Sequence, residues 1–390
     1  IAQQPLPVAQ LLTRVANADA LTPLLRALPP PHAAYKRLRE ALAHYSQVGA
    51  TPWPRIADGP LLRVGERGRR VRMLRARLGA ELPALLDVDQ ACLFDAGLRR
   101  AVEAFQARHG LAEDGVVGPQ TLAALNVPLS ARIAELRLNM ERWRWLPREL
   151  GSRHILVNLA GFALTLVRED RPVLHMRVIA GRPDRSTPAI QSAVSQLVLN
   201  PEWTVPRRIA VEDLLPQLQR DPLALQAKGI RVLARQGSAW TEVDPQQIDW
   251  NRHHADNFPY VLRQAAGPGN SLGRIKFNMF NSFDIYLHDT PARGLFLRPQ
   301  RAFSSGCIRV EKPLPLAAHL FDGDPKQIGA WLWRQIDRGD TDRLRVSPSV
   351  PVFLVYLTAW VDDDGTVQFR PDIYRRNARL RHRFMTETGD

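Results

Sequence analysis

Phe283-Asp284-Ile285-Tyr286-Leu287-His288-Asp289-Thr290-Pro291, with Ser304-Ser305-Gly306-Cys307-Ile308-Arg309-Val310 following it, decides how this chain is read. The first stretch alternates apolar and polar side chains, the two-residue period of a β-strand. Tyr286 and His288 share one face, and Ile285 and Leu287 the other. The apolar pair is expected to face a core, leaving His288 exposed at the C-terminal end of the strand. Cys307 follows His288 by nineteen residues and sits beside glycine, hydroxyls and arginine rather than inside an apolar run. A thiol needs a base to become a thiolate, and N–H donors to hold the oxyanion formed on attack. A histidine and a glycine-flanked cysteine can supply both, so the segment points to acyl transfer through a thioester.

Upstream, His154 to Leu166, Val173 to Ala180 and Val194 to Leu199 keep the same alternation and read as an antiparallel β meander. Residues 203–275 lose it and read as a mixed, helical, proline-broken insertion directly ahead of the catalytic segment, placed to form a lid. Its end, Gly267-Pro268-Gly269-Asn270-Ser271-Leu272-Gly273-Arg274, fits neither a P-loop nor a dinucleotide fingerprint. Strands resume at Phe283–His288 and Val352–Leu357, and Asp364-Gly365 predicts a hairpin turn before Val367.

The N-terminal half is helical. Leu38, Leu42 and Tyr45 share a helix face, and Thr51-Pro52-Trp53-Pro54 stops that region. Residues 62–127 carry Val71, Leu74 and Leu78, then Leu98, Val102 and Phe105, at helical spacing. Asp114-Gly115 suits a turn with positive φ, and Pro119 opens a helix continued by Leu122 and Leu125. Ser130 is the expected N-cap of one long helix over 128–147.

At 390 residues, two or three domains are expected, and 45% hydrophobic with 24% charged residues is a globular composition. No apolar run is long enough to span a membrane. The chain begins at Ile1 rather than Met, so an upstream signal or membrane anchor is left open. The net charge of +14 is carried almost entirely by arginine. Without finger spacing, an RNP string or a basic block, it argues against nucleic acid and suits a carboxylate-rich polymer. Two cysteines make no disulfide framework, and Cys92 reads as a buried small hydrophobe. His253-His254-Ala255-Asp256 lacks the ligand spacing of a metal site, so neither metal nor cofactor is expected.

Phe105-Gln106, Gly110-Leu111, Asp114-Gly115, Gly118-Pro119, Thr121-Leu122 and Leu125-Asn126 together resemble the type 1 peptidoglycan-binding domain. Either a glycan or stem-peptide docking module or a plain three-helix packing unit fits them. His288 with Ser304-Ser305-Gly306-Cys307-Ile308-Arg309 resembles the YkuD-type L,D-transpeptidase signature. Asn200-Pro201-Glu202-Trp203-Thr204-Val205-Pro206, Phe277-Asn278-Met279 and Arg301-Ala302-Phe303 narrow the likeness to the large Gram-negative YcbB-type enzymes. A histidine commonly precedes the Gly-Cys pair in the wider family; here it is Ser305, as in that subgroup.

The resemblance implies a multidomain α+β protein with a mainly antiparallel β catalytic domain and an inserted lid subdomain. Its expected parts are a helical scaffold over 1–60 and 128–150, a peptidoglycan-binding-like domain over 61–127, and the catalytic domain over 151–390. It implies a periplasmic enzyme without cofactor, acting on peptidoglycan stem peptides and glycan, with other cell-wall synthesis proteins as further partners. Cys307 would attack the amide between the L-centre of diaminopimelate and the terminal D-alanine, with His288 as base. The carbonyl of Asp289 or the hydroxyl or backbone of Ser304 would hold the imidazole tautomer, and N–H groups around Gly306 and Cys307 would hold the oxyanion. Arg309 shares the face of the cysteine, where it pairs with a stem carboxylate, stabilises the thiolate or braces the loop. Arg301, Tyr286, Trp203, Asn278 and Ser305 are the remaining substrate-side candidates. Water as acceptor would give an L,D-carboxypeptidase, and loss of chemistry a wall-binding scaffold. Carbapenems are expected to acylate the thiol.

Overall fold

The computed structural model describes residues 8–17, 20–48, 53–81 and 92–387. Thr51 and Pro52 of the proposed helix stop lie outside them. Contacts divide the chain into one unit of Ile1–Leu150, Asn158–Gly161 and Val355–Asp390, and a second of Gly151–Val157 and Phe162–Leu354.

In the first unit, helix α1 is Val8–Ala16, α2 Leu21–Ala27, α3 Ala33–Val48, α4 Arg69–Gly79, α5 Ala96–His109, α6 Pro119–Leu125 and α7 Leu129–Arg144. The helical periodicity of α4 to α6 lands where expected: Val71, Leu74, Leu78, Leu98, Val102, Phe105, Leu122 and Leu125 form one core cluster. Burial of each large side chain there contributes about 1.5–3 kcal/mol. Gly115 has φ +69°, the left-handed turn its Asp-Gly pair predicted, and Pro119 is in the first turn of α6. Two expectations change. Pro128, in extended geometry, caps α7, so Ser130 lies inside the helix. Cys92 is exposed rather than buried, at the start of a described segment where its carbonyl accepts the N–H of Gly68.

The strands are β1 His154–Asn158, β2 Ala163–Arg168, β3 Arg171–Gly181, β4 Gln191–Leu199, β5 Trp203–Thr204, β6 Ile230–Gln236, β7 Ala239–Glu242, β8 Val261–Gln264, β9 Ile275–Met279, β10 Leu287–His288, β11 Ala302–Ser304, β12 Ile308–Val310, β13 Asp342–Val355, β14 Ala359–Val361 and β15 Val367–Phe369. The hairpin β14–β15 turns at Gly365, φ +86°, as its Asp-Gly predicted. It groups with the first unit, not with the catalytic region that the sequence reading carries to residue 390. Phe369 on β15 is buried there, against the rings of Tyr45 and His109.

The second unit is built on a nine-stranded sheet in the order β11-β3-β12-β10-β9-β4-β13-β1-β2, and β2 also pairs with β3. The meander β1–β2–β3 holds, but β12, β10 and β9 separate β4 from β3. Most pairings are antiparallel; β10–β12 and β11–β3 are parallel.

Residues 203–275 are not the strandless insertion expected. They hold a second sheet, β5-β8-β6-β7, around a core of their own that includes Leu214, Leu218, Ile230, Val232, Trp250 and Leu262. Ile230 and Val232 alternate inward on β6, and Gly237, φ +61°, turns the chain into β7. The alternation is short and interrupted by arginines, which hides it in the sequence.

Candidate active site

Register assembles the site. Leu287 pairs with Ile308 and with Phe277, and His288 with Arg309 on one side and Lys276 on the other. Leu287, Phe277 and Ile308 are fully buried, so the alternate residues project to the opposite face. That face carries two rungs. Lys276, His288 and Arg309 form one; Asn278, Tyr286 and Cys307 form the next. Cys307, immediately before β12, is thus the diagonal neighbour of His288 on an adjacent strand, about 7–8 Å apart at the backbone and closer at the side chains.

Ile285 is also buried, and Asn281 fixes the approach to β10: its amide donates to the carbonyl of Ile285 at 2.7 Å. The N–H of Ile308 donates to the carbonyl of Tyr286 at 3.1 Å, tying the strand that follows Cys307 to that of His288. Gly306 has φ +124°, where a β-carbon is strained and would meet Ile285 at 3.2 Å.

Cys307 is half-buried, and its thiol contacts the carbonyl of Asp284 at 3.7 Å. Burial pushes the thiol above its ordinary value. The backbone N–H and hydroxyl of Tyr286, then the charges of Lys276 and Arg309, pull the other way. Tyr286 also interacts with Trp203, and burial followed by the cysteine's charge holds its phenol protonated. A protonated phenol donates to a thiolate, so Tyr286 is placed to stabilise the ionised form of Cys307.

His288 is 5% exposed, not the solvent-facing residue expected from its strand-end position. Burial, then the charges of Arg309 and Lys276, bring its imidazole down to about 3. It is therefore neutral near pH 7. Nδ1 lies 2.6 Å from the carbonyl of Asp289, an acceptor only, so Nδ1 carries the hydrogen and Nε2 the lone pair. That resolves the open choice of tautomer holder in favour of Asp289. Its carboxylate has a different task, accepting from the N–H groups of Arg274 and Thr290 and from Arg293.

Ser304 turns inward: its hydroxyl donates to the carbonyl of Cys307 at 2.5 Å and accepts the Gly306 N–H at 3.2 Å. With the Gly306 amide so engaged, the amides of Ser305 and Cys307 are the loop N–H groups without a protein partner among the described residues. The Ser305 hydroxyl accepts from Arg185 at 3.0 Å. Asn278 donates to Gln196 at 2.8 Å. A cleft of about 570 Å³ is lined by Gln196, Lys276, Asn278, Phe280, Asp284 and Tyr286 among others, and two of these, Asp284 and Tyr286, touch Cys307.

Arg301 stands apart. Its guanidinium is held by the carbonyls of Arg298, Pro299 and Phe162, and contacts none of the residues gathered round the thiol. It is a loop brace. Lys276 and Arg185 were not singled out in the sequence. The alternation Ile275-Lys276-Phe277-Asn278-Met279 carried the signal for Lys276, on the face of Asn278; nothing local pointed to Arg185.

Residues 152–328 match the L,D-transpeptidase catalytic domain family YkuD. Residues 67–125 match the putative peptidoglycan binding domain family. The chain is 41% identical over 247 residues to a putative L,D-transpeptidase of Haemophilus influenzae, covering 62% of this chain and 47% of that protein. The chain thus spans about half the length of that curated relative. Among solved structures, the L,D-transpeptidase of Xylanimonas cellulosilytica (residues 123-326) is 16% identical over 76% of this chain and 98% of its own, with a TM-score of 0.23. L,D-transpeptidase 3 from Mycobacterium tuberculosis, solved with a faropenem-derived adduct, is 12% identical over 52% and 60%, with a TM-score of 0.26. In the matched segment of this chain, His288 is on β10 and Cys307 immediately precedes the adjacent β12, and the 203–275 subdomain is inserted between β4 and β9.

Proposed function

We propose that this protein is a periplasmic L,D-transpeptidase that joins peptidoglycan stem peptides between two diaminopimelate residues. The observation that carries the reading is the placement of Cys307 and His288 on one face of adjacent strands, with Nδ1 of the imidazole held by the Asp289 carbonyl. The thiol proton passes to Nε2 as sulfur attacks the L-centre carbonyl of diaminopimelate in a tetrapeptide donor. The oxyanion takes hydrogen bonds from the unengaged loop amides, chiefly that of Cys307. The C–N bond then breaks, and the imidazolium returns the proton to the leaving D-alanine amine. The side-chain amine of a second stem attacks the thioester, the C–S bond breaks, and its proton returns through His288 to sulfur. The net change is one amide exchanged for another. The 67–125 domain supports peptidoglycan as the polymer being worked on.

The test is product analysis. Purified disaccharide-tetrapeptide incubated with the protein is expected to give dimers lacking one D-alanine, by mass spectrometry, and none with Cys307→Ala. Tripeptide alone would replace this reading with the carboxypeptidase one. Turnover that survives Cys307→Ala would remove the mechanism.

A further inference from the structure

Lys276 and Arg309 flank His288 on a single rung, one on β9 and the other on β12. Both side chains are half-buried. Neither has a carboxylate within ion-pair distance among the described residues, and the Nε of Arg309 is buried without a partner. The acidic groups whose charge reaches Lys276 are the Cys307 thiolate and, after it, the exposed Asp284, which lies beyond salt-bridge range; the ammonium also sits 4.1 Å from the Tyr286 ring. Arg185 of this unit is paired with Glu212 and Asp213, and Arg177 with Glu311, whereas Arg301 is held by carbonyls alone. Cys307 is the acidic group that acts on both cations, and burial holds its thiol towards the neutral form, so two partly desolvated cations on either side of His288 gain from an anion that arrives from outside.

The chemistry says where that anion belongs. The leaving amine takes its proton from His288, so the D-alanine nitrogen must lie at the imidazole. Its carboxylate carbon is two bonds from that nitrogen, about 2.5 Å away by standard geometry. Lys276 and Arg309 stand one strand spacing, about 4.8 Å, to either side.

We propose that Lys276 and Arg309 together bind the terminal carboxylate of the departing D-alanine; this rests on the transpeptidase reading above. The pair then selects donors whose fourth residue ends the stem. In a pentapeptide the same carboxyl is an uncharged amide, and the cations meet no partner. Seating the carboxylate also offsets the positive charges that add to burial in holding the imidazole neutral, so His288 becomes a better proton acceptor once a correct donor is bound.

The experiment measures the rate of thioester formation on Cys307, by intact-protein mass, with a tetrapeptide acid and with its C-terminal amide. The wild-type protein is expected to favour the acid by at least about tenfold, the scale of one charge-assisted hydrogen bond. Lys276→Met and Arg309→Met should each bring the acid-to-amide ratio toward one, and Lys276→Arg should restore most of it. Because acid and amide are compared within one preparation, a partly folded variant leaves the ratio readable. Equal rates for acid and amide in the wild-type protein, or a ratio unmoved by both Met variants, overturn the carboxylate site and leave the transpeptidase reading standing. If neither peptide acylates wild-type Cys307, both fall together.

Discussion

Nδ1 of His288 and the carbonyl oxygen of Asp289 are 2.6 Å apart, closer than most hydrogen bonds between neutral groups. That contact sets the tautomer of the base, and a chain of other residues sets the contact. The Asp289 carboxylate is pinned by two backbone N–H groups and by Arg293, and Gly273 lies against it.

Gly273→Ala is therefore expected to damage catalysis through Asp289. The residue has φ +62°, and a β-carbon there would stand 2.3 Å from the carboxylate. Left-handed strain alone costs about 1–3 kcal/mol, and the clash adds to it. A lower melting temperature together with more than about tenfold loss of kcat, on the scale that misplacing a catalytic group by 1 Å reaches, is the expected result. Wild-type activity in Gly273→Ala would show that the Asp289 turn does not hold the base.

Acid should destabilise the fold through His288. Its imidazole titrates at about 3 when folded and near 6.5 when unfolded. Between those values the unfolded chain binds the extra proton, so stability is full above pH 6.5 and is lost as pH falls towards 3. The full span corresponds to something on the order of 4–5 kcal/mol. His109, buried in the other unit, is shifted the same way by its own burial and adjacent arginines. Denaturant midpoints measured from pH 7 to pH 4 should fall, and His288→Gln should flatten the part carried by the second unit. A pH-independent midpoint would contradict the burial seen for His288.

The thiol should show its surroundings in its alkylation rate. Burial raises the Cys307 pKa while the Tyr286 hydroxyl opposes that. Iodoacetamide modification is expected to accelerate into the alkaline range, in a Cys92→Ser background because Cys92 is exposed. Tyr286→Phe removes a donor to the thiolate and should move the midpoint up by about one unit, the lower end of a charge-assisted hydrogen bond. A midpoint moving down would mean that the phenol does not face sulfur.

Arg185 joins the inserted subdomain to the nucleophile loop. Its side chain is 2% exposed, pairs with Glu212 and Asp213 at 2.5 Å each, and donates to Ser305 at 3.0 Å. Thr187 nearby donates to the carbonyl of Gly306 at 2.7 Å. Arg185→Met should cost about 1–3 kcal/mol, less than a fully buried pair because both carboxylates are partly solvated, and should slow acylation. A variant with lowered stability but an unchanged acylation rate would make the network purely structural.

A carbapenem should leave a covalent mass increment on the wild-type protein and none on Cys307→Ser. An accessible thiol opens a strained lactam as it does the donor amide, with the lactam C–N bond broken and the nitrogen protonated. An increment that persists in Cys307→Ser would place the acylated residue elsewhere.

Much of the site was legible because strands alternate. Tyr286 and His288 on one face, Ile285 and Leu287 on the other, followed from two-residue periodicity, although of the expected strand Phe283–His288 only Leu287–His288 forms one and Asp284, φ +52°, turns the chain before it; Arg309 on the face of Cys307 followed from the same rule. The burial of His288 did not, because what covers it comes from β9, β12 and the turn at Leu272, and alternation says nothing about neighbouring strands. Lys276 was readable by the same alternation that places Asn278. Arg185 was not, since its partners stand 27 and 28 residues away and meet it only through the fold. The helical pattern of α4 to α6 was plain because their apolar residues recur at helical spacing and fall into one cluster. The small sheet of 203–275 was missed because its strands are brief and arginine-rich.

The parallel pairing of β10 with β12 has a last consequence. Sheet faces reverse with every single-residue slip. Were β12 to pair one position out of step, Ile308 would stand in the cysteine's place and the sulfur would point into the interior. Reactivity is thereby withheld from any misaligned chain: the proposed chemistry at sulfur arises only in a molecule whose strands have found their correct partners.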